Sequence, residues 1–349
     1  MESEEPYFLP LPSNDNLINI QIELDEYVTG ICWLNNKHLA ASTAAGTLYF
    51  IDIEIEKVLH KIKAHKGPIQ SISSNLKNFV ATGGQDGFFK IFEWGNITPI
   101  CETKLYTDWI EKVAYSPNGE KLLVVAGNKF SLHQTNGELV YQSIEHESTI
   151  SDICWKSDSQ QFASACYSAV RFFDVKQANA QNTLEWKNSM ISISWSPNAN
   201  FLCSGTQDSR IHFWPLPYKK GSDFEMSGYR GKVRNLSWDS TSNYVASNCW
   251  NEVIVWPFHK NKPPLGKKPI MLAQSMERIT TLKFQNNSTV LAVGDKVGTL
   301  VFYDPITGEE YLAAVQLNSE ITHLEWAPND NFLAVGTANG GLHIINDIS

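Results

Sequence analysis

The chain has 349 residues, 42% hydrophobic and 19% charged, with 21 Gly and 15 Pro, which is globular usage and excludes a collagen-like, coiled-coil or wholly disordered chain. A formal charge of -9 opposes a general electrostatic grip on nucleic acid. No run of about 18 apolar residues offers a membrane span, and at roughly 100 to 200 residues per domain the length alone suggests two domains.

The N-terminus is acidic, with Glu2, Glu4 and Glu5, and lacks the basic region and apolar stretch of a secretory signal. Residues 1–15 are expected to be a flexible acidic segment, and 16–349 a single domain. Ile18, Ile20, Ile22 and Leu24 alternate with Asn19, Gln21 and Glu23, the period of a half-buried strand. A phrase of the form apolar-x-x-apolar-x-aromatic then recurs: Val28 to Trp33, Ile110 to Tyr115, Ile150 to Trp155, Met190 to Trp195, Val233 to Trp238, Ile279 to Phe284 and Ile321 to Trp326. Ile69 to Ser74 is a weaker copy, with Ser in the aromatic slot. The slots fall at 33, 74, 115, 155, 195, 238, 284 and 326, eight copies spaced by 40 to 46 residues. That period overrides the two-domain estimate, because a repeat architecture cannot be cut at its midpoint.

Each copy continues in the same way. A turn such as Ser116-Pro117-Asn118-Gly119 leads to a short strand of small and apolar residues, such as Phe201 to Gly205. A hairpin such as Gln85-Asp86-Gly87 leads to a third strand ending in an aromatic or apolar residue, such as Arg210 to Trp214, and a variable fourth strand follows. Short alternating strands at regular spacing mean an all-β chain.

The pattern resembles the WD-repeat family of β-propellers over essentially all of Val28 to Ile348. The resemblance implies a single eight-bladed β-propeller. The eighth copy ends at its third strand, so Ile18 to Leu24 is expected to supply the missing strand and close the ring. The alternative count is seven blades with one degenerate copy outside the ring. No third strand ends in the Trp-Asp dipeptide of the family. The second copy alone keeps three members of its structural hydrogen-bond network, His65, Thr82 and Asp86, with Phe92 where Trp is usual.

No catalytic constellation stands out. The nine His show no zinc spacing, and neither a Gly-x-Ser-x-Gly elbow nor a phosphate-cradling loop is present. No cofactor or metal is therefore expected. Six dispersed Cys read as free thiols in a reducing, cytoplasmic compartment. Seven of the 11 Trp fill repeated slots, and Trp94, Trp109, Trp186 and Trp250 fall outside them.

By the resemblance, the function is a non-catalytic scaffold that binds a protein or peptide on the face around the central channel. Residues four and six before each aromatic slot are expected to project there. The expected contacts are Tyr27, Trp109, Ile191 and Trp250 as apolar groups, with Glu111 and Glu320 as acids. Lys232, Arg234 and Arg278 form a local positive cluster suited to an acidic or phosphorylated segment. A small-molecule or hydrolytic site in the channel is the alternative from a different class. The basic, Pro-rich stretch His259 to Pro269 leaves nucleic acid as a third, disfavoured by the overall charge.

Overall fold

A computed structural model describes residues 13–105, 109–272, 276–307 and 311–346. The expectation of a flexible N-terminus lies outside the described residues up to position 12. Among the described residues the only helical pieces are two 3-10 turns, Asp15–Leu17 and His259–Asn261. The architecture is an all-β propeller.

The first copy forms strands Val28–Trp33, His38–Thr43, Thr47–Asp52 and Lys57–Lys63, an antiparallel meander in chain order. Its tight hairpin needs Gly46, at φ 78, because a Cβ there would sit 2.4 Å from the Gly67 carbonyl oxygen. The core lies between neighbouring sheets, where apolar faces of successive copies meet. Val28, Ile31 and Trp33 pack with Ala334, Leu342 and Ile344 of the last copy and with Ile20 and Leu24 of the N-terminal segment. Each buried aliphatic or aromatic side chain contributes about 1.5–3 kcal/mol, so these inter-sheet layers hold the ring together.

Polar bonds between first strands give the layers their register. Thr280 Oγ1 donates to the Ile321 carbonyl at 2.6 Å and Thr322 Oγ1 to the Val28 carbonyl at 2.9 Å, each reaching from one copy to the next. Indole N–H groups reach the other way: Trp33 to the Glu325 carbonyl at 2.8 Å, Trp155 to Ala114 at 3.0 Å and Trp326 to Lys283 at 3.2 Å. Because both kinds of bond join equivalent offsets, the first strands run side by side in one direction. Their starts gather at one mouth of the channel, called upper here, and their ends at the lower mouth.

The described residues form seven sheets, six of four strands and one of six, and not the eight separate blades expected. Copies four and five share the six-stranded sheet. The reason is a 19-residue strand, Gln177–Trp195, that serves as the outer strand of copy four and runs on as the first strand of copy five. It pairs with Gln161–Asp174 through Ala169↔Glu185 and Tyr167↔Ser189, then with Phe201–Thr206 through Trp195↔Leu202. No Gly or Pro interrupts positions 177 to 195, so nothing in the chain forces the usual turn there. The alternative of a copy left outside the ring is not what lowers the count. The N-terminal strand Ile18–Glu23 lies antiparallel to Gly341–Ile345, with Ile22↔Leu342 and Ile20↔Ile344 in register.

The hairpin next to the upper mouth is pinned differently from copy to copy. In copy two His65 Nδ1 donates to Asp86 Oδ1 at 2.9 Å, while Nε2 accepts from the Thr82 hydroxyl at 2.9 Å. Burial lowers the His65 pKa, which favours the neutral ring, and the Asp86 carboxylate, which can only accept, fixes the proton on Nδ1. In copy four His146 keeps only the Ser164 contact, at 2.9 Å, and its Nδ1 is unpartnered. In copy six Tyr229 occupies the same slot, nine residues before Trp238; its hydroxyl meets Ser247 Oγ at 2.6 Å and accepts the Trp256 indole N–H at 2.9 Å.

Candidate functional site

Four of the residues expected at the channel face line one cavity of about 440 Å3: Glu111, Ile191, Lys232 and Arg234. They come from copies three, five and six. The cavity also takes in Lys112, Ser151 and Asp152, so it opens at the starts of the first strands, the upper mouth.

One wall is charge-satisfied. Glu111 Oε2 accepts the Gly127 N–H at 2.9 Å. Lys112 pairs with Asp152, whose other carboxylate oxygen accepts the Ile193 N–H at 2.9 Å. The facing wall is different. Lys232 and Arg234 are exposed, and among the described residues neither they nor neighbouring Arg230 and Arg278 make an ion pair. Among the described residues Glu277 and Glu320, the acids that would balance such a patch, form no ion pair with them. With Ile191 between the walls, the cavity presents an apolar patch beside free cations. An anionic group entering from solvent meets donors that lose no existing partner when they turn to it.

The other expected residues fall outside this cavity. Trp250 is 60% exposed at a φ of 58, and the Arg278 guanidinium carbon lies 5.9 Å from its ring centroid. The Trp250 carbonyl accepts the Ile279 N–H at 2.8 Å, so the pair stands at the junction of copies six and seven. Trp109 is 54% exposed, two residues before Glu111. Tyr27 and Glu320 make a third group across the ring, where burial and the Glu320 carboxylate raise the Tyr27 pKa. Of the four Trp outside repeated slots, two are packed: Trp94 stacks on His38 at 4.2 Å and Trp186 lies 3.8 Å from His212.

Counting only the positions four and six before the aromatic slot misses Lys112 and Asp152. In copies three and four two residues face one across the strand pair: the Glu111 N–H donates to the Val125 carbonyl at 3.1 Å while Lys112 is paired with Val125, and the Ser151 N–H donates to the Ala165 carbonyl at 2.9 Å while Asp152 is paired with Ala165. Copies one, two, five, seven and eight show a register shift at the same place, as Val28/Gly30, Ile69/Ser71, Met190/Ser192, Ile279/Thr281 and Ile321/His323. A bulge breaks strict alternation and turns the following residue toward the channel as well. It also explains why Thr29, Thr280 and Thr322 are poor ligands, since each spends its hydroxyl on a hydrogen bond within the scaffold. Tyr167, 58% exposed on the copy-four hairpin, is a further aromatic on this face; its place at the tip is visible in the sequence.

Thiol chemistry finds no support in the geometry. Burial raises the Cys32, Cys154 and Cys166 pKa values and pushes Cys203 up to about 12, so these groups stay protonated. Cys249 Sγ accepts the Arg230 N–H at 2.9 Å and Cys166 Sγ donates to the Ala169 carbonyl at 3.4 Å, both as hairpin anchors. Among the described residues no three His, Cys, Asp or Glu are grouped to hold a metal, and no helix is long and apolar enough to cross a membrane.

Residues 113–196 match a family model described as the anaphase-promoting complex subunit 4 WD40 domain, and 56–93 and 180–215 match the WD domain, G-beta repeat. Similar proteins include the WD repeat-containing protein 91 homolog of Dictyostelium discoideum, 24% identical over 57% of this chain and 27% of the relative. Actin-interacting protein 1 of Drosophila melanogaster is 20% identical over 80% of this chain and 53% of the relative. Meiotic fizzy-related protein 1 of Schizosaccharomyces pombe is 19% identical over 56% and 58%. The chain thus spans between about a quarter and somewhat over half of these relatives' lengths. The crystal structure of the computationally designed Ika8 protein superposes with a TM-score of 0.80, covering 95% of this chain and 99% of that one at 20% identity, a likeness of fold.

Proposed function

The chain belongs to the WD-repeat family of β-propellers, and on that premise we propose that it is a non-catalytic scaffold that binds a partner protein or peptide at the upper mouth of its channel. The observation that carries this reading is the cavity in which unpaired Lys232 and Arg234 face Ile191. Such a cavity suits a segment with an acidic or phosphorylated side chain next to an apolar one. Trp109, Trp250 and Tyr27 are the flanking aromatic contacts, Arg278 extends the positive edge, and Glu111 and Glu320 exclude acids from the opposite side. Exposed Trp and Arg are the residue types most often found as interface hot spots.

Six free cysteines support a reducing, cytoplasmic setting. The strand Ile18–Glu23, paired to Gly341–Ile345, closes the ring and keeps the last sheet from exposing an edge. The binding mode is tested with a degenerate phosphoserine peptide library and its unphosphorylated counterpart, read by fluorescence anisotropy at low and high salt. The expected result is salt-sensitive binding of the phosphorylated library that Lys232→Glu with Arg234→Glu removes. Equal binding by the double variant, with its thermal midpoint unchanged, contradicts the proposal.

A further inference from the structure

The lower mouth has a cavity of its own, about 480 Å3, lined by Ile31, Cys32, Trp33, Ile72, Ser74 and Leu76, with Trp326 on its far side. Its origin is one residue. Seven copies place Trp, Tyr or Phe in the aromatic slot, where the ring fills the space against the preceding copy. Copy two has Ser74, whose small hydroxyl donates to the Trp33 carbonyl and accepts the Leu76 N–H at 3.4 Å. The volume an aromatic ring fills elsewhere stays open.

The exposure of the first strands bears this out. The slot residue and the one two before it are both half-buried at Ile72 and Ser74 of strand Ile69–Ser74, whereas in every other copy at least one of the two is buried. At the rim stands Leu76, 52% exposed at a φ of 55, a conformation that large L side chains avoid. Asn75 holds it there: its Oδ1 accepts the backbone N–H groups of Lys77, Asn78 and Phe79 at 3.0, 3.1 and 2.9 Å. An apolar side chain is thus presented to solvent beside a cavity that has an apolar wall of Ile31, Trp33 and Ile72 and polar members in Ser73, Asn286 and Glu325.

We propose that this cavity is a socket for an aromatic side chain, Trp foremost, donated by a partner polypeptide at the face opposite the upper-mouth site. The fold itself defines the ligand. In copies one, four and eight the indole N–H donates to the carbonyl one residue before the slot in the preceding copy. For copy two that carbonyl belongs to Cys32, which lines the cavity. An incoming indole finds ring-sized walls of Ile31, Ile72, Trp33 and Leu76 and a backbone acceptor at the place the scaffold uses for its own Trp.

The test titrates N-acetyltryptophanamide and N-acetylleucinamide into the intact chain, followed by saturation-transfer NMR. The tryptophan amide is expected to bind at least about fivefold more tightly than the leucine amide. Ser74→Trp, which supplies the missing ring from within, is expected to abolish that binding while holding or raising the thermal midpoint. Leu76→Asp, at an exposed position where Asp tolerates the left-handed backbone, is expected to weaken it about threefold or more without loss of stability. Arg234→Glu at the other mouth leaves it unchanged. Equal binding of the two amides, undiminished binding in Ser74→Trp or Leu76→Asp, or a marked drop in the thermal midpoint of Ser74→Trp each overturns the proposal, the last because it means no ring-sized space is there.

Discussion

The two mouths of the channel are made from opposite ends of the same set of strands, yet their chemistry is different. At the upper mouth, copies three to six bring charge: a satisfied wall of Glu111, Lys112 and Asp152 faces free Lys232 and Arg234. At the lower mouth, copies eight, one and two bring apolar surface around the space left by Ser74, copy seven adds Asn286, and the flanking Lys283 and Glu325 neutralise each other. A repeat fold puts equivalent positions in equivalent places, so each difference traces to a few residues that depart from the period. Function on such a scaffold is read from the departures, because the repeated residues are committed to holding the ring.

The largest expected effect concerns the half that carries the lower mouth. Deleting residues 1–24 removes buried Leu17, Ile20 and Leu24 and unpairs Gly341–Ile345. At about 1.5–3 kcal/mol per buried side chain, the loss is about 4 kcal/mol or more. It should appear as a strongly lowered thermal midpoint, with hydrogen exchange rising first in copies eight and one. An unchanged midpoint shows that the N-terminal strand does not hold the ring.

Next comes the charged mouth. Lys232→Glu with Arg234→Glu is expected to weaken an anionic peptide by about 100-fold, a cost typical of reversing two close charge contacts. Stability should hold, since neither side chain has an ion-pair partner to lose. A smaller effect, about tenfold on the same peptide, is expected for Trp109→Ala with Trp250→Ala, with stability changing by less than about 0.5 kcal/mol for such exposed positions. Binding of N-acetyltryptophanamide at the lower mouth should not respond to either pair of changes, and a response would mean that the two mouths are not separate sites.

Acid is expected to act on both halves alike. Burial lowers His146 in copy four and His323 in copy eight to about 4, from an ordinary value near 6.5. The unfolded chain takes up these protons first, so the neutral buried rings stabilise the fold fully above about pH 6.5, and that stability is lost as pH falls toward about 4. The thermal midpoint should decline across that window, and His146→Gln or His323→Gln should each remove part of the decline. A pH-independent midpoint between those limits contradicts the assignment.

Much of this was legible in the sequence, for a physical reason: a period of about 40 residues repeats the same burial demand, so Trp33, Trp155, Trp195, Trp238 and Trp326 announce one structural slot. The alternation from Ile18 to Leu24 likewise marks a strand. Two things were not legible. Whether copies four and five separate into two sheets depends on whether Gln177–Trp195 stays extended through Trp186 to Ser189, and local pattern does not decide that. The reach of Lys112 and Asp152 into the upper cavity depends on two residues facing one across the pair, Glu111 and Lys112 at Val125 and Ser151 and Asp152 at Ala165, which turns the strand face by one residue. Tyr229 shows an intermediate case: its spacing before Trp238 marks the His slot, but that a phenol can satisfy Ser247 and Trp256 there is a matter of geometry.

The central claim, that an anionic partner segment sits at the upper mouth, is tested most directly by photocrosslinking. Benzoylphenylalanine is placed at position 191 in the upper cavity or at position 76 on the lower rim, and each protein is irradiated with a phosphoserine peptide library that lacks Trp, Tyr and Phe, so that the lower-mouth socket has no ligand. The account predicts adducts from position 191 that excess unlabelled phosphopeptide and high salt suppress, with none above background from position 76. Adducts of equal yield from both positions, from 76 alone, or from neither contradict it.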